Sequence, residues 1–211
     1  MRRLPVYLIL DVSGSMHGEP IEAVRNGMQM MVGHLRQDPF ALETAFLSVI
    51  LFDGQARQAV PLTELVAFQP PAIDAGSTTS LGAALQLAAE CIGREVKTTT
   101  ADSKGDWKPL VFLMTDGQPT DDWQKGLDAF RKAKTGMVIA CAAGPQADTA
   151  FLKQITENVV ALDTADSATI GAFFKWVSAS ISTTSKKVDI SKADAGELSE
   201  LPPPPPQINL V

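Results

Sequence analysis

Three stretches of the chain are rich in oxygen-bearing side chains. The first is Asp11-Val12-Ser13-Gly14-Ser15, where an aspartate and two serines take alternate positions directly after an apolar run. The second is AGSTTSLG, residues 75–82, and the third is MTDGQPTDD, residues 114–122. Taken singly, each has a structural explanation. Ser and Asp before a helix cap its free N–H groups, and Asp-Gly is ordinary turn chemistry. Taken together, hydroxyls and carboxylates form a hard-oxygen donor set, matched to magnesium or manganese rather than zinc. Alternate positions in a loop leaving a strand can turn Asp11, Ser13 and Ser15 to one side. A threonine of the second stretch and Asp116 of the third would then close an octahedral site. Two carboxylates around a divalent ion leave little spare negative charge, and neutral hydroxyls keep the metal electrophilic. An open coordination position would attract an acidic side chain of a partner protein.

Such convergence requires a framework that brings three distant loops together. LPVYLIL (4–10) reads as a strand buried on both faces, because its apolar run is continuous rather than alternating. Further strands are expected at 44–52, 109–116, 136–144 and 158–163, with a more polar strand at 54–65 suited to an edge. Between them lie helical patterns at 19–36, 80–93, 121–134, 147–156 and 167–184, the first marked by Ile21, Val24, Met28, Met31, Val32 and Leu35. The methionines in that stripe read as core filler. The alternation predicts an α/β, Rossmann-like three-layer sandwich. Its central sheet is mostly parallel, with one short antiparallel edge strand and helices on both faces. Open α/β sheets place ligands beyond the carboxyl ends of their strands, where all three oxygen-rich stretches fall.

Composition narrows the function classes. The chain has 211 residues with 18 Lys+Arg against 24 Asp+Glu, a net charge of −6, and no long basic run, which argues against a nucleic-acid partner. The two cysteines, Cys91 and Cys141, sit among apolar or small neighbours and read as buried, reduced thiols. The opening MRRLPVYLIL does not read as a secretory signal, since Pro5 and Asp11 interrupt it and no small-residue cleavage site follows. No apolar stretch reaches the ~18 residues of a membrane span, so no membrane association and a cytoplasmic location are expected.

DVSGSM resembles the D-x-S-x-S motif of the von Willebrand factor A domain, the first part of that family's metal-ion-dependent adhesion site. STTSLGAAL is similar to its threonine loop and MTDGQPTDD to its aspartate-bearing third loop, with order and spacing matching over about residues 3–184. Within the family, LPVYLILDVSGSM, GEPIEAV, LSVILFD and DWKPLVFLMTDGQPTDDW resemble the bacterial TerY-type proteins of tellurium-resistance and stress loci. The resemblance implies Mg²⁺ as the cofactor, with Mn²⁺ as the alternative, and a non-enzymatic binding role. Its partners would be proteins presenting Asp or Glu, including kinase-like and phosphatase-like products of the same loci. Carried over residue by residue, the metal set is Asp11, Ser13, Ser15, Thr79 and Asp116. Thr79 follows from counting back three from Gly82; a loop variant one residue longer would select Thr78. The resemblance further implies that the hydroxyls bind metal directly and the aspartates partly through water.

Two other functions share parts of this pattern. A haloacid-dehalogenase-like phosphohydrolase also opens on a strand ending in aspartate and uses Mg²⁺, but it needs a second acid two residues on, where this chain has Ser13. A scaffold with a vestigial metal site would have no reason to keep all five oxygen residues. Near the motif, His17 reads as an exposed loop residue, and Asp121 and Asp122 as caps of the helix they precede. Trp107 and Trp123 flank the strand and helix of the third loop, in packing positions. Beyond the domain at 1–184, residues 185–211 read as a flexible, Pro-rich tail with five prolines at 202–206. Such a run favours polyproline II and could dock in a partner's groove.

Overall fold

The chain's fold, taken from a computed structural model, describes residues 2–191 and 198–211. In chain order it contains β1 (Leu4–Asp11), a 3₁₀ turn (Gly14–Met16), α1 (Glu19–Leu35), α2 (Pro39–Thr44), β2 (Ala45–Phe52) and β3 (Ala56–Glu64). There follow α3 (Leu81–Glu95), β4 (Leu110–Thr115), α4 (Trp123–Lys132), β5 (Val138–Ala143), α5 (Thr149–Ile155) and β6 (Val159–Leu162). The chain closes with α6 (Ser167–Ser191), a 3₁₀ turn (Leu198–Glu200) and β7 (Asn209–Leu210). The strands form one seven-stranded sheet in the order β3-β2-β1-β4-β5-β6-β7. The inner strands are parallel, while β3 and β7 run antiparallel at the two edges.

The pleat explains why β1 is apolar throughout. Leu4, Val6, Leu8 and Leu10 join Val24, Met28, Phe173 and Phe174 in a core under α1, α2 and α6. Tyr7 and Ile9 face the other way, with Leu85, Ala88, Leu127 and Phe151 under α3, α4 and α5. This is the expected three-layer α/β sandwich. The chain leaves β1 through α1 on one face and returns to β4 after α3 on the other. The carboxyl ends of β1 and β4 therefore border the crevice where open sheets hold ligands. On the second face α3 and α4 touch backbone to backbone. A Cβ on Gly126 would lie 1.9 Å from the Gly82 carbonyl oxygen, so glycine is required for the approach that brings the second and third loops together.

The described helices include none long and apolar enough to cross a membrane. Both cysteines are buried and free. Three features depart from the sequence pattern. The short helix α2 starts on Pro39 behind Asp38, whose carboxylate accepts from the Phe40 and Ala41 amides. Helix α6 continues past 184 to Ser191. Of the stretch read as a flexible tail, 192–197 lies outside the described residues, but 198–211 is held against the domain. Leu201 and Ile208 are buried, Trp176 Nε1 donates to the Pro202 carbonyl at 2.8 Å, and Lys187 pairs with Glu200. Leu210 and Asn209 pair with Val160 and Ala161 of β6. The physical reason is an open strand edge at β6 met by a segment already extended by its prolines, which loses little entropy on docking.

Candidate metal centre

Asp11 ends β1 with its side chain turned inward, 1% exposed. Its Oδ1 accepts from the Ser13 amide at 2.8 Å, and its Oδ2 accepts from the Thr115 hydroxyl at 2.5 Å. The chain then turns through the 3₁₀ segment and presents two serine hydroxyls. Ser13 Oγ and Ser15 Oγ lie 3.0 Å apart, and Ser15 Oγ donates to Asp116 Oδ1 at 2.8 Å. Four of the five candidate ligands are thus joined by one chain of hydrogen bonds across the ends of β1 and β4.

The second loop is fastened to the first by backbone. The Gly76 amide donates to the Val12 carbonyl at 2.6 Å, and the Gly14 amide to the Ser77 carbonyl at 2.7 Å. It is fastened to the third through Thr120, whose hydroxyl accepts from the Thr79 amide at 3.0 Å and whose amide donates to the Thr79 carbonyl at 2.9 Å. Thr79 is 7% exposed, and its Oγ1 stands 3.8 Å from where a Cβ on Gly117 would be, beside Asp116. Thr78 is exposed, and its Oγ1 lies toward Gly54 in the β2–β3 turn instead. The fold therefore brings Thr79 to the third loop and leaves Thr78 outside.

Burial pushes both carboxyl groups above the ordinary aspartate range. For Asp11 the effect is opposed by its bonds from Ser13 and Thr115, and for Asp116 by the bond from Ser15. Neither forms an ion pair among the described residues. No group of three or more His, Cys, Asp or Glu side chains is placed to hold a metal among the described residues. The donor set on offer is two carboxylates and three hydroxyls, a hard-oxygen set that fits magnesium or manganese chemistry.

Several neighbours play roles that their sequence positions hide. Thr115 reads as the last core residue of a strand, yet it orients Asp11. Asp121 does not cap α4, which it precedes. Its carboxylate crosses to α3 and accepts from the Gly82 and Ala83 amides at 3.1 and 2.9 Å, tying the third loop to the second. Asp122 stands at the start of α4 without a side-chain capping bond. His17 is exposed. Trp107 is buried at the opposite end of the sheet beneath Arg2, and Trp123 packs edge-on against Phe151.

The family model for the von Willebrand factor type A domain matches residues 6–176, most of the chain. The chain belongs to that family. A VWA structure from Catenulispora acidiphila is similar over 86% of this chain and 43% of that one, with a TM-score of 0.62 and 18% identity. Proximal thread matrix protein 1 of the mussel byssus, solved with a zinc-occupied MIDAS motif, matches 84% of this chain and 45% of its own, with a TM-score of 0.59 and 19% identity. The pilus adhesin SpaC from Lactobacillus rhamnosus GG matches over 87% and 31%, with a TM-score of 0.65 and 15% identity. At these identities the likeness is one of fold. In sequence, an uncharacterized protein of Synechocystis sp. is 32% identical over 124 residues, 56% of this chain and 26% of its own length. The chain thus spans about a quarter of that relative's length.

Proposed function

We propose that this VWA domain is a non-enzymatic, metal-dependent protein-interaction module. Ser13, Ser15 and Thr79 hold a divalent ion directly, Asp11 and Asp116 balance its charge, and the ion takes a carboxylate from a partner protein as its remaining ligand. One observation carries the reading: two buried aspartates meet at the ends of β1 and β4 with hydroxyl and amide partners but no cationic side chain. A divalent ion supplies the missing charge. The mussel VWA protein with its zinc-occupied MIDAS motif supports a metal in this role.

The hard-oxygen donor set of hydroxyls and carboxylates supports magnesium, with manganese as the alternative. Phosphohydrolase chemistry gains no support, because Ser13, in the position of the general acid, donates no proton at neutral pH as a carboxylic acid would. The resemblance of DVSGSM and its flanks to TerY-type sequences supports a place among cytoplasmic stress-response proteins of tellurium-resistance loci. Kinase-like and phosphatase-like products are the candidate partners.

Two experiments test this reading. Thr79→Ala should weaken Mg²⁺ binding about tenfold, while Thr78→Ala leaves it unchanged; the reverse order would move the second-loop ligand. With native protein and Asp11→Ala as parallel baits, in Mg²⁺ and in chelator, specific partners should be retained by the native bait in Mg²⁺ alone. Equal retention under all conditions would overturn the metal bridge.

A further inference from the structure

Helices α3 and α4 touch at Gly82 and Gly126 near the metal end, and a groove opens between them toward their other ends. There Ile92, Gly93 and Val96 on the α3 side, with Lys132, Ala133 and Lys134 on the α4 side, line a cavity of about 360 Å³. Both helix ends lie at the amino end of the sheet. Arg3, just ahead of β1, donates to the Glu95 carbonyl at 2.7 Å, and the Gly136 amide donates to the Pro109 carbonyl, just ahead of β4, at 2.9 Å. The groove is therefore at the far end of the molecule from the candidate metal ligands. It has room for a side chain, since a Cβ on Gly93 would meet nothing within 4 Å. A more open trough continues from it between the helices to Gln86 and Gln124, sharing Ala89, Ala129 and Lys132 with the cavity. So elongated a shape fits a linear segment.

The charge around this apolar cavity runs against that of the chain, which is −6 overall. Its lining contains no Asp or Glu, and Lys132 and Lys134 are in no ion pair among the described residues. Residues 129–147 contain no acid at all. In 95–108, Glu95 accepts from Tyr7 and Gln58, Asp106 accepts from Arg3 and the Lys97 amide, and Asp102 stands on an exposed loop. The arginines of this end are engaged as well: Arg2 lies over Trp107, Arg94 donates to Gln58 and Arg131 donates to the Gln154 carbonyl. The positive charge on offer is thus lysine, an ammonium that pairs with a carboxylate without demanding planar geometry. A helix dipole accounts for Lys132 in the last turn of α4, but not for Lys134 beyond it or for an apolar cavity beside them. We infer that the groove docks a linear segment of a partner protein in which a large apolar side chain is flanked by Asp or Glu. The apolar side chain covers Ile92 and Val96 in the space above Gly93, while its acidic neighbours pair with Lys132 and Lys134. This site is separate from the metal bridge proposed above and does not depend on it.

Three fluorescent peptides test it on the full-length protein, in Mg²⁺ and in chelator: a single Phe flanked by glutamates, the same Phe flanked by lysines, and the glutamate peptide with Ser for Phe. Anisotropy reports affinity, and amide shifts at Gly93, Val96 and Ala133 report the place. The glutamate-flanked Phe should bind there equally with and without Mg²⁺, and the other two about tenfold more weakly or worse. Gly93→Leu fills the groove and replaces a glycine inside a helix, so it should melt no lower than the native protein yet bind the peptide about tenfold more weakly. Lys132→Glu combined with Lys134→Glu replaces exposed side chains only and should weaken binding by a similar factor, narrowed by added salt. If Gly93→Leu melts lower than the native protein, this lysine pair decides. Binding of no peptide would overturn the inference. So would equal affinity for the lysine-flanked or Ser peptide, undiminished binding to the variants, or shifts at Ser13 and Gly117 in place of the groove.

Discussion

Aspartate side chains are buried beyond both ends of the β1–β4 pair, Asp106 at one and Asp11 with Asp116 at the other, and the two ends are satisfied in opposite ways. At the amino ends, Asp106 has a side chain only 4% exposed and accepts from Arg3 Nε at 2.9 Å, Arg3 Nη2 at 2.5 Å and the Lys97 amide at 2.7 Å. The bond to Asp106 holds the Arg3 guanidinium above its ordinary pKa. At the carboxyl ends, Asp11 and Asp116 have amide and hydroxyl partners only, and burial drives their pKa values up. A buried charge with its counter-charge in the same chain is architecture. A buried charge that lacks one is either a standing cost of the fold or a site whose counter-charge arrives from solution.

This contrast can be broken from either end. The largest effect should come from Arg3→Ala, which strands Asp106; a loss of about 3 kcal/mol in chemical denaturation is expected, with or without Mg²⁺. Asp11→Asn should behave oppositely. Without metal its melting temperature should equal or exceed that of the native protein, because a costly buried charge is gone. The stabilisation by Mg²⁺, about 2.7 kcal/mol at a hundred times the dissociation constant, should vanish. Thr115→Val, which removes a donor from Asp11 Oδ2 and alters no proposed ligand, should weaken metal binding by about tenfold or more in calorimetry and cost about 1 kcal/mol of metal-free stability.

The smallest effect is on pH dependence. With folded-state carboxyl pKa values raised, the metal-free fold binds more protons than the unfolded chain between the ordinary and the raised values. Metal-free stability therefore falls as pH rises through that window and stays lower above it. Mg²⁺ competes with those protons, so its thermal shift should be absent at the acidic end and complete at neutral pH. A pH-independent shift would contradict the assignment.

Much of this was legible in the sequence. Continuous apolar runs identified the inner strands because both of their faces are covered, and parallel β1 and β4 deliver the first and third oxygen-rich loops to one end, where the second returns after antiparallel β3. Other parts depended on contacts that periodicity cannot encode. Thr78 and Thr79 are adjacent in an irregular loop, and only the contact with Thr120 and the turn at Gly117 distinguishes them. Asp121 caps a helix through the Gly82 amide, 39 residues away. Thr115 looks like strand core because it is one, until its hydroxyl meets Asp11. The stretch at 198–211 reads as tail by composition, and its anchors Leu201 and Ile208 gain meaning only beside the open edge of β6.

The central claim is that the counter-charge missing at Asp11 and Asp116 is a divalent ion. Titration calorimetry of Mg²⁺ into the metal-free native chain and into Asp11→Asn, at neutral pH, tests it most directly. The account predicts one saturable site on the native protein and none on the variant. Identical heats from the two proteins, or no binding to the native chain, would contradict it.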